Sequence, residues 1–440
     1  MTTGKSEAVT ARLAPLVLAA IATFRAPCLA ELNDKLSPQL DNPAIQYFDY
    51  SKYPRQDVVA RLQREIQAGK VQLKFDAGTG YLSAVLQALH VPIESQMAVF
   101  SKTSFQEARI EPANPRTIFF NDAVSVAWVR GGFIELAAQD PRQGVGFYTL
   151  EQQPVAQPGF TRRDDCLQCH RSDLSLGVPG MILRSFYTLP DGRPKLILGA
   201  FDTDHRSPFE ERWGGWYVTG SMEHGRHMGN AMLSDPDHPE SMVSGKTLHV
   251  ASLENRFDTR AYLSPYSDMV ALLVFNHQMH MMNLITRVGW EVRCALYQKL
   301  PDRALNALLK ESAEEFVDYL LFIDEAPLAG AVHGTSGFAE KFAAQGPRDS
   351  HGRSLRQFDL KTRLLRYPCS YMLYSPAFDS LPQPAKTAIY QRMWQVLSGA
   401  EQGSRYARLS PADRSAIVEI LRATKPDLAE WPEELLPVRR

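Results

Sequence analysis

The spacing of hydrophobic residues changes once along this chain, and that change constrains the fold more than any other feature. In residues 116–152 the apolar residues follow the short period of strands, and the composition is β-rich. From about residue 253 onward the apolar spacing is that of helices. We therefore expect an α+β protein with a strand-rich, antiparallel central part and a helical C-terminal third.

Individual elements are predicted from the same spacing and from turn-forming residues. Helical spacing occurs at 55–70, 80–90, 268–300, 303–321, 386–397 and 411–423. Runs typical of strands occur at 117–120, 123–129, 133–137, 146–150, 181–189, 195–201 and 213–220. Gly131-Gly132 predicts a tight turn, and Pro190-Asp191-Gly192-Arg193 predicts the turn of a second hairpin. Ser410 before Pro411 indicates a capped helix start.

Length and composition indicate a folded globular protein. At roughly 150 residues per domain, 440 residues are enough for two or three domains. The 44% hydrophobic and 22% charged residues exclude a disordered or collagen-like chain. The formal net charge of −1 provides no overall basic field, so nucleic acid is not an expected partner.

The N-terminal residues 1–30 are typical of an export signal. Lys5 and Arg12 precede an apolar run at 13–22, and Cys28-Leu29-Ala30 is a suitable cleavage site. The acidic Glu7 is atypical, and a cytosolic N-terminal helix is the alternative. The run is about half of the ~20 apolar residues that a membrane-spanning helix needs, so no transmembrane segment is expected after signal removal. We expect a periplasmic or otherwise exported protein.

Cys166-Leu167-Gln168-Cys169-His170 is a C-x-x-C-H motif. Two thiols one short helical turn apart can each form a thioether with the same haem, and the adjoining imidazole then lies beneath the iron. The motif resembles the haem attachment site of c-type cytochromes. The resemblance implies one covalent haem c, with Cys166 and Cys169 as anchors and His170 as the proximal iron ligand. A structural zinc site, which needs two further ligands, and a thioredoxin-like redox pair are the alternatives.

The resemblance covers only residues 166–170 and not a domain. A small class I cytochrome c is all-helical and carries the motif near its mature N-terminus, whereas a strand-rich stretch precedes Cys166 here. The expected segments are a signal peptide at 1–30, a mostly helical N-terminal segment at 31–115, a strand-rich haem-binding domain at 116–252 and a helical C-terminal domain at 253–440. This body is much larger than one haem requires, which favours a binding cleft, a partner surface or catalysis.

The second axial position of haem iron decides between an electron carrier and a catalyst. Candidate ligands lie in a glycine-containing segment and on the long predicted helix: His227, Met228, His277, His280 and Met281. The spacings His224-x-x-His227 and His277-x-x-His280 are also compatible with a separate metal held by four imidazoles.

Charged residues and further cysteines complete the candidate set. Three cations lie near the motif: Arg162, Arg163 and Arg171. They could pair with haem propionates or raise the reduction potential. Alternatively, the adjacent carboxylates of Asp164 and Asp165 neutralise them. Cys294 and Cys369 are compatible either with one long-range disulfide or with buried free thiols.

The sequence therefore predicts an exported monohaem c-type cytochrome protein that transfers single electrons to and from a redox partner protein. One alternative is a haem-dependent periplasmic oxidoreductase that acts on a peroxide, a thiol or a small nitrogen compound. In that case His227, His277 or His280 is the expected acid or base. Another alternative is a haem-based sensor without turnover.

Overall fold

The computed structural model describes residues 54–243, 249–401 and 403–431, so the predicted signal peptide lies outside the described residues. The helices are α1 Val58–Gln67, α2 Leu82–Ala88, α3 Leu167–His170, α4 Met269–Tyr297, α5 Asp302–Leu320, α6 Phe338–Ala344, α7 Pro376–Asp379, α8 Gln383–Leu397 and α9 Pro411–Thr424. The strands are β1 Met97–Val99, β2 Arg116–Phe120, β3 Val124–Trp128, β4 Ile134–Asp140, β5 Gly144–Leu150, β6 Thr161–Arg162, β7 Arg184–Phe186, β8 Ala200–Asp202, β9 Trp216–Tyr217, β10 Gly220–Met222, β11 His249–Val250 and β12 Val332–His333.

The central part of the chain is an antiparallel sheet, and helices dominate the C-terminal part, which confirms the predicted α+β class. The described strands of the main sheet follow the order β6-β5-β4-β3-β2-β1-β9. Consecutive strands β2 to β5 form a meander, in which Ala137 of β4 lies opposite Phe147 of β5. Strand β1 was not predicted, because its residues are all buried and so show no polar–apolar alternation.

The two faces of the sheet have different partners. One face packs against α1 and α2 through Val59, Leu82 and Val85. Asp57 caps α1, and its carboxylate also accepts a 2.6 Å hydrogen bond from the hydroxyl of Tyr148 on β5, which ties the helix to the sheet. The opposite face packs against α4 in a hydrophobic core that continues through the C-terminal helices.

The second predicted hairpin is present in shorter form. β7 pairs antiparallel with β8, and Thr188 and Pro194 form an isolated bridge beyond them. Pro190 and Pro194 have no backbone N–H to donate, which limits the ladder. Gly192 at the turn has a φ of 87°, a conformation that favours glycine.

Helix α4 is the central element of the C-terminal core. The side chain of Asp268 accepts hydrogen bonds from the backbone N–H groups of Val270 and Ala271 and so begins the helix. Most of its 29 residues are buried, because β strands and C-terminal helices cover it on several sides. Among the residues that the structure describes, no helix combines the length and apolar character needed to cross a membrane.

Candidate functional site

The C-x-x-C-H motif lies on a short helical segment beside the edge of the main sheet. After β6, residues Asp164–Cys166 form a 3-10 turn that continues directly into the single turn of α3. Cys166 is partly buried and Cys169 is exposed, and both are free thiols. Burial and the adjacent Asp165 carboxylate raise the pKa of Cys166 to about 11, so this residue is a protonated thiol at neutral pH.

His170, at the end of α3, is held in one orientation. Its Nδ1 lies 3.0 Å from the carbonyl oxygen of Gly180, and its ring centroid lies 4.7 Å from that of Phe147 on β5. A carbonyl can only accept, so Nδ1 carries the proton and the Nε2 lone pair is available to a ligand. Burial lowers the pKa of His170, which favours the neutral imidazole that binds metals.

The loop that supports His170 is fastened to α4. The backbone N–H of Gly180 donates to the carbonyl of His170 at 2.9 Å and closes the loop. The side chain of Asn283 on α4 accepts from the backbone N–H of Met181 and donates to its carbonyl oxygen. A Cβ at position 180 would lie 2.2 Å from Asn283 Oδ1, so this close approach requires glycine. Sequence reasoning assigned no role to Gly180 or Asn283, because neither lies in a recognisable motif.

The donor set at the motif consists of two free thiols and one oriented imidazole. In the described ranges, no group of three or more His, Cys, Asp or Glu side chains is arranged to hold a metal ion, as a structural zinc site requires. A thioredoxin-like pair needs a thiol of lowered pKa, whereas the pKa of Cys166 is raised. Haem attachment uses two thiols and one imidazole, the same kinds of group.

The three arginines near the motif are engaged with other groups. Arg162 Nε lies 2.7 Å from Asp164 Oδ1, and Arg163 Nη2 lies 2.6 Å from Asp165 Oδ2. The adjacent carboxylates therefore pair with these two cations, as the sequence suggested as one alternative. Arg171 lies over the ring of Trp290 at 5.8 Å.

His277 belongs to a buried hydrogen-bonded chain. Ser370 Oγ accepts from the backbone N–H of Met372 at 3.2 Å, and it lies 2.7 Å from His277 Nε2. His277 Nδ1 in turn lies 2.7 Å from His205 Nδ1. If the serine hydroxyl donates to Nε2, the proton of His277 lies on Nδ1 and is donated to His205. Both nitrogens of His277 are thus occupied, and burial lowers its pKa to about 3.

His280 and an adjacent ion pair lie against Tyr319, beside the His205–His277 pair. Arg206 pairs with Asp204, and its Nη2 lies 3.3 Å from His280 Nε2. The guanidinium carbon also lies 4.9 Å from the ring centroid of Tyr319, which stacks on His205 at 4.0 Å. Burial lowers the pKa of His280 to about 4, so the imidazole is neutral at physiological pH. His205 was not among the predicted site residues, and no sequence pattern marks it.

The remaining ligand candidates are buried in apolar surroundings. His227 Nδ1 accepts from the backbone N–H of Gly229, and its ring lies 5.1 Å from Trp213. Met228 Sδ accepts a weak 3.6 Å hydrogen bond from Ser185 Oγ. Met281 is fully buried in the core around α4.

The structure brings Cys166, Cys169 and His170 together, and Cys166 packs against the hydrophobic core that contains Met281. For the described residues, none of the hydrogen bonds, ion pairs or ring contacts of these candidates reaches the motif: His227, Met228, His277, His280 and Met281. His224 is exposed, whereas His227 is buried, and His277 is paired with His205; the four-imidazole arrangement is therefore not assembled.

Cys294 and Cys369 are both buried free thiols, so the described cysteines form no disulfide with each other. Burial raises the pKa of both thiols.

Comparison of the chain with protein-family models, with curated proteins and with solved structures finds no match.

Proposed function

We propose that this protein carries one haem c, attached through Cys166 and Cys169 with His170 as the proximal ligand, and that it transfers single electrons. The observation that carries the proposal is the 3.0 Å contact between His170 Nδ1 and the Gly180 carbonyl. A metal-binding histidine normally donates its other ring N–H to a fixed acceptor, which orients the ring and selects the tautomer. Haem iron supplies reversible one-electron exchange when it is bound.

The protein contributes orientation and surroundings to this activity. The closed loop and the Asn283 clamp fix the His170 ring, and Phe147 packs against it from the sheet. Cys169 is exposed, so the attached edge would lie near the surface, where a redox partner protein can approach. The proposed export to an extracytoplasmic compartment depends on residues 1–30, which lie outside the described residues.

Covalent attachment is tested by expression in cells that mature c-type cytochromes. After denaturing electrophoresis we expect the wild-type band to stain for haem, and intact mass to show a single added haem. The double variant Cys166→Ser/Cys169→Ser should lose the stain completely. Cys294→Ser is the matched control, since it removes a buried thiol of α4 and should keep the stain. A colourless wild-type protein with unmodified thiols would disprove the proposal.

A second candidate function, an oxidoreductase or sensor with an open distal position, is favoured by the placement of the distal candidates. His277 has both nitrogens bonded, and the hydrogen bonds and ring contacts of His227 and His280 do not reach the motif among the described residues. Carbon monoxide binding to the reduced protein separates the two functions. Rapid uptake by the native protein would support an enzyme or sensor, whereas no uptake would support a six-coordinate electron carrier.

A further inference from the structure

The sheet face beside His170 carries an ion pair that sequence reasoning did not consider. Arg116 of β2 and Glu135 of β4 lie on this face, and Arg116 Nη1 is 2.9 Å from Glu135 Oε2. Glu135 lies opposite Thr149, two residues along β5 from Phe147, which contacts the His170 ring. Diagonal neighbours of this kind are about 7–8 Å apart.

Small apolar side chains separate this ion pair from the rest of the face. Ala127 lies opposite Ile118 on one side and Glu135 on the other, and Ala137 lies opposite Phe147. Both alanines are short, apolar and buried, each with 8% of its surface exposed. A haem has apolar faces and two carboxylates on one edge. The apolar side chains of Ala127 and Ala137 next to the guanidinium of Arg116 match that chemistry.

Arg116 carries a buried donor that its ion pair with Glu135 does not use. Its side chain is 18% exposed and that of Glu135 is 19% exposed. Within the described ranges, Arg116 Nε is buried and has no hydrogen-bond partner. An unpaired buried donor is costly, and a carboxylate acceptor would remove that cost. Arg162 and Arg163 pair with carboxylates two residues away, whereas the carboxylate partner of Arg116 lies on another strand of the sheet.

Resting on the proposed function, we infer that Arg116 holds a haem propionate and that the Arg116–Glu135 pair sets the electrostatic potential at the haem edge. Arg116 is a positioning residue, because it acts on the cofactor through its propionate and not at the iron. Its positive charge disfavours the additional charge of the ferric state and so raises the reduction potential. The Glu135 carboxylate has the opposite effect, which predicts shifts of opposite sign when the two charges are removed singly.

The test is the reduction potential of the haem-stained holoproteins. For Arg116→Gln we expect the equilibrium constant for reduction to fall about tenfold, which is about 59 mV for a one-electron couple. Glu135→Gln should raise this constant by a similar factor. Arg116→Gln should also make the potential depend on pH between about pH 5 and pH 7, because the propionate loses its cation and its pKa rises.

Arg363→Gln is the matched control. Arg363 pairs with Asp413 at 2.6 Å, is similarly buried, and also has a buried Nε without a hydrogen-bond partner in the part of the chain described, but it lies in the C-terminal helical part. This variant should shift the constant less than twofold. Equal shifts for Arg116→Gln and Arg363→Gln, or shifts of the same sign for Arg116→Gln and Glu135→Gln, would overturn the inference.

A maturation defect is separated from the electrostatic effect by a charge-conserving variant. If Arg116→Gln yields no stained protein, Arg116→Lys should yield it with a potential close to wild type, and failure of both would overturn the inference. Absence of stain in the wild type would instead disprove the proposed function itself. A stained wild type with an unshifted Arg116→Gln variant would leave haem attachment intact and refute only the role of Arg116.

Discussion

His170 and His277 both make hydrogen bonds, but they differ in whether a ring nitrogen remains available to bind a ligand. His170 has one bonded nitrogen, Nδ1, and is a half-buried residue at the end of the short helix α3. His277 is fully buried on α4, with Nδ1 bonded to His205 and Nε2 bonded to Ser370. A histidine becomes a ligand only when one nitrogen is oriented by a neighbour and the other remains available. His170 meets that condition, whereas His277 serves the packing of the core.

The largest expected effect is on the free energy of unfolding after histidine truncation. In the haem-free protein, His277→Ala should destabilise by about 3–5 kcal/mol, because it opens a cavity and leaves His205 and Ser370 without their partner. His170→Ala should cost less, about 1 kcal/mol, since it removes one hydrogen bond and one ring contact of a half-buried residue. Urea unfolding of both variants provides the measurement. Equal costs would break the distinction between His170 and a core histidine.

A second effect concerns acid stability. The folded-state pKa of His277 is about 3, against ~6.5 in the unfolded chain, so between these values the unfolded state binds the proton and the folded state does not. The stabilisation is present above about pH 6.5 and is lost as the pH falls towards 3. From pH 7 to pH 4.5 the wild type should lose about 2–3 kcal/mol more than His277→Gln, measured by unfolding at both pH values. Parallel losses in the two proteins would contradict this.

A third effect sharpens the account of the His170 loop. Asn283→Ala removes two hydrogen bonds to the backbone of Met181 and should increase amide hydrogen exchange at 170–183 about tenfold in the haem-free protein. Gln139→Ala is the control, because its side chain bonds to Met282 and Thr286 of α4 and not to the loop. Similar exchange in both variants would show that the Asn283 clamp does not hold the loop.

The smallest effect concerns two serines with the same local role. Ser370 and Ser375 each accept a 3.2 Å hydrogen bond from a backbone N–H, but only Ser370 also reaches His277. Ser370→Ala should therefore destabilise by about 1 kcal/mol more than Ser375→Ala in urea unfolding. An equal loss would indicate that the Ser370–His277 contact adds no stability.

Much of the fold was predictable, because hydrophobic periodicity records which face of an element is buried. The meander β2 to β5 and the helices α4, α5, α8 and α9 lie where that periodicity placed them. Short elements were not predictable: β1 has three residues and pairs with β2 and β9 from distant parts of the chain. Such pairings depend on contacts that local spacing does not contain.

In the candidate site, too, the residues that are close together in sequence were predictable, and those that meet through long-range contacts were not. The sequence alone placed Cys166, Cys169 and His170 in one motif, because thiol spacing is a local property. It treated His227, His277 and His280 as similar candidates, because nothing local distinguishes a bonded nitrogen from an available one. Likewise Arg116, which is 50 residues from Cys166 along the chain, could not be associated with the motif before the sheet register was known.

By itself, then, the sequence determined the α+β class. It also determined that two thiols and one imidazole lie together in residues 166–170, because these residues follow one another along the chain. Only the tertiary structure decided which imidazoles are satisfied and which charges border the motif. The physical reason is distance along the chain: the partners of His277 are 72 and 93 residues away, and Asn283 meets Met181 across 102 residues. Hydrogen bonds and ion pairs of this kind form only when packing brings remote strands and helices together.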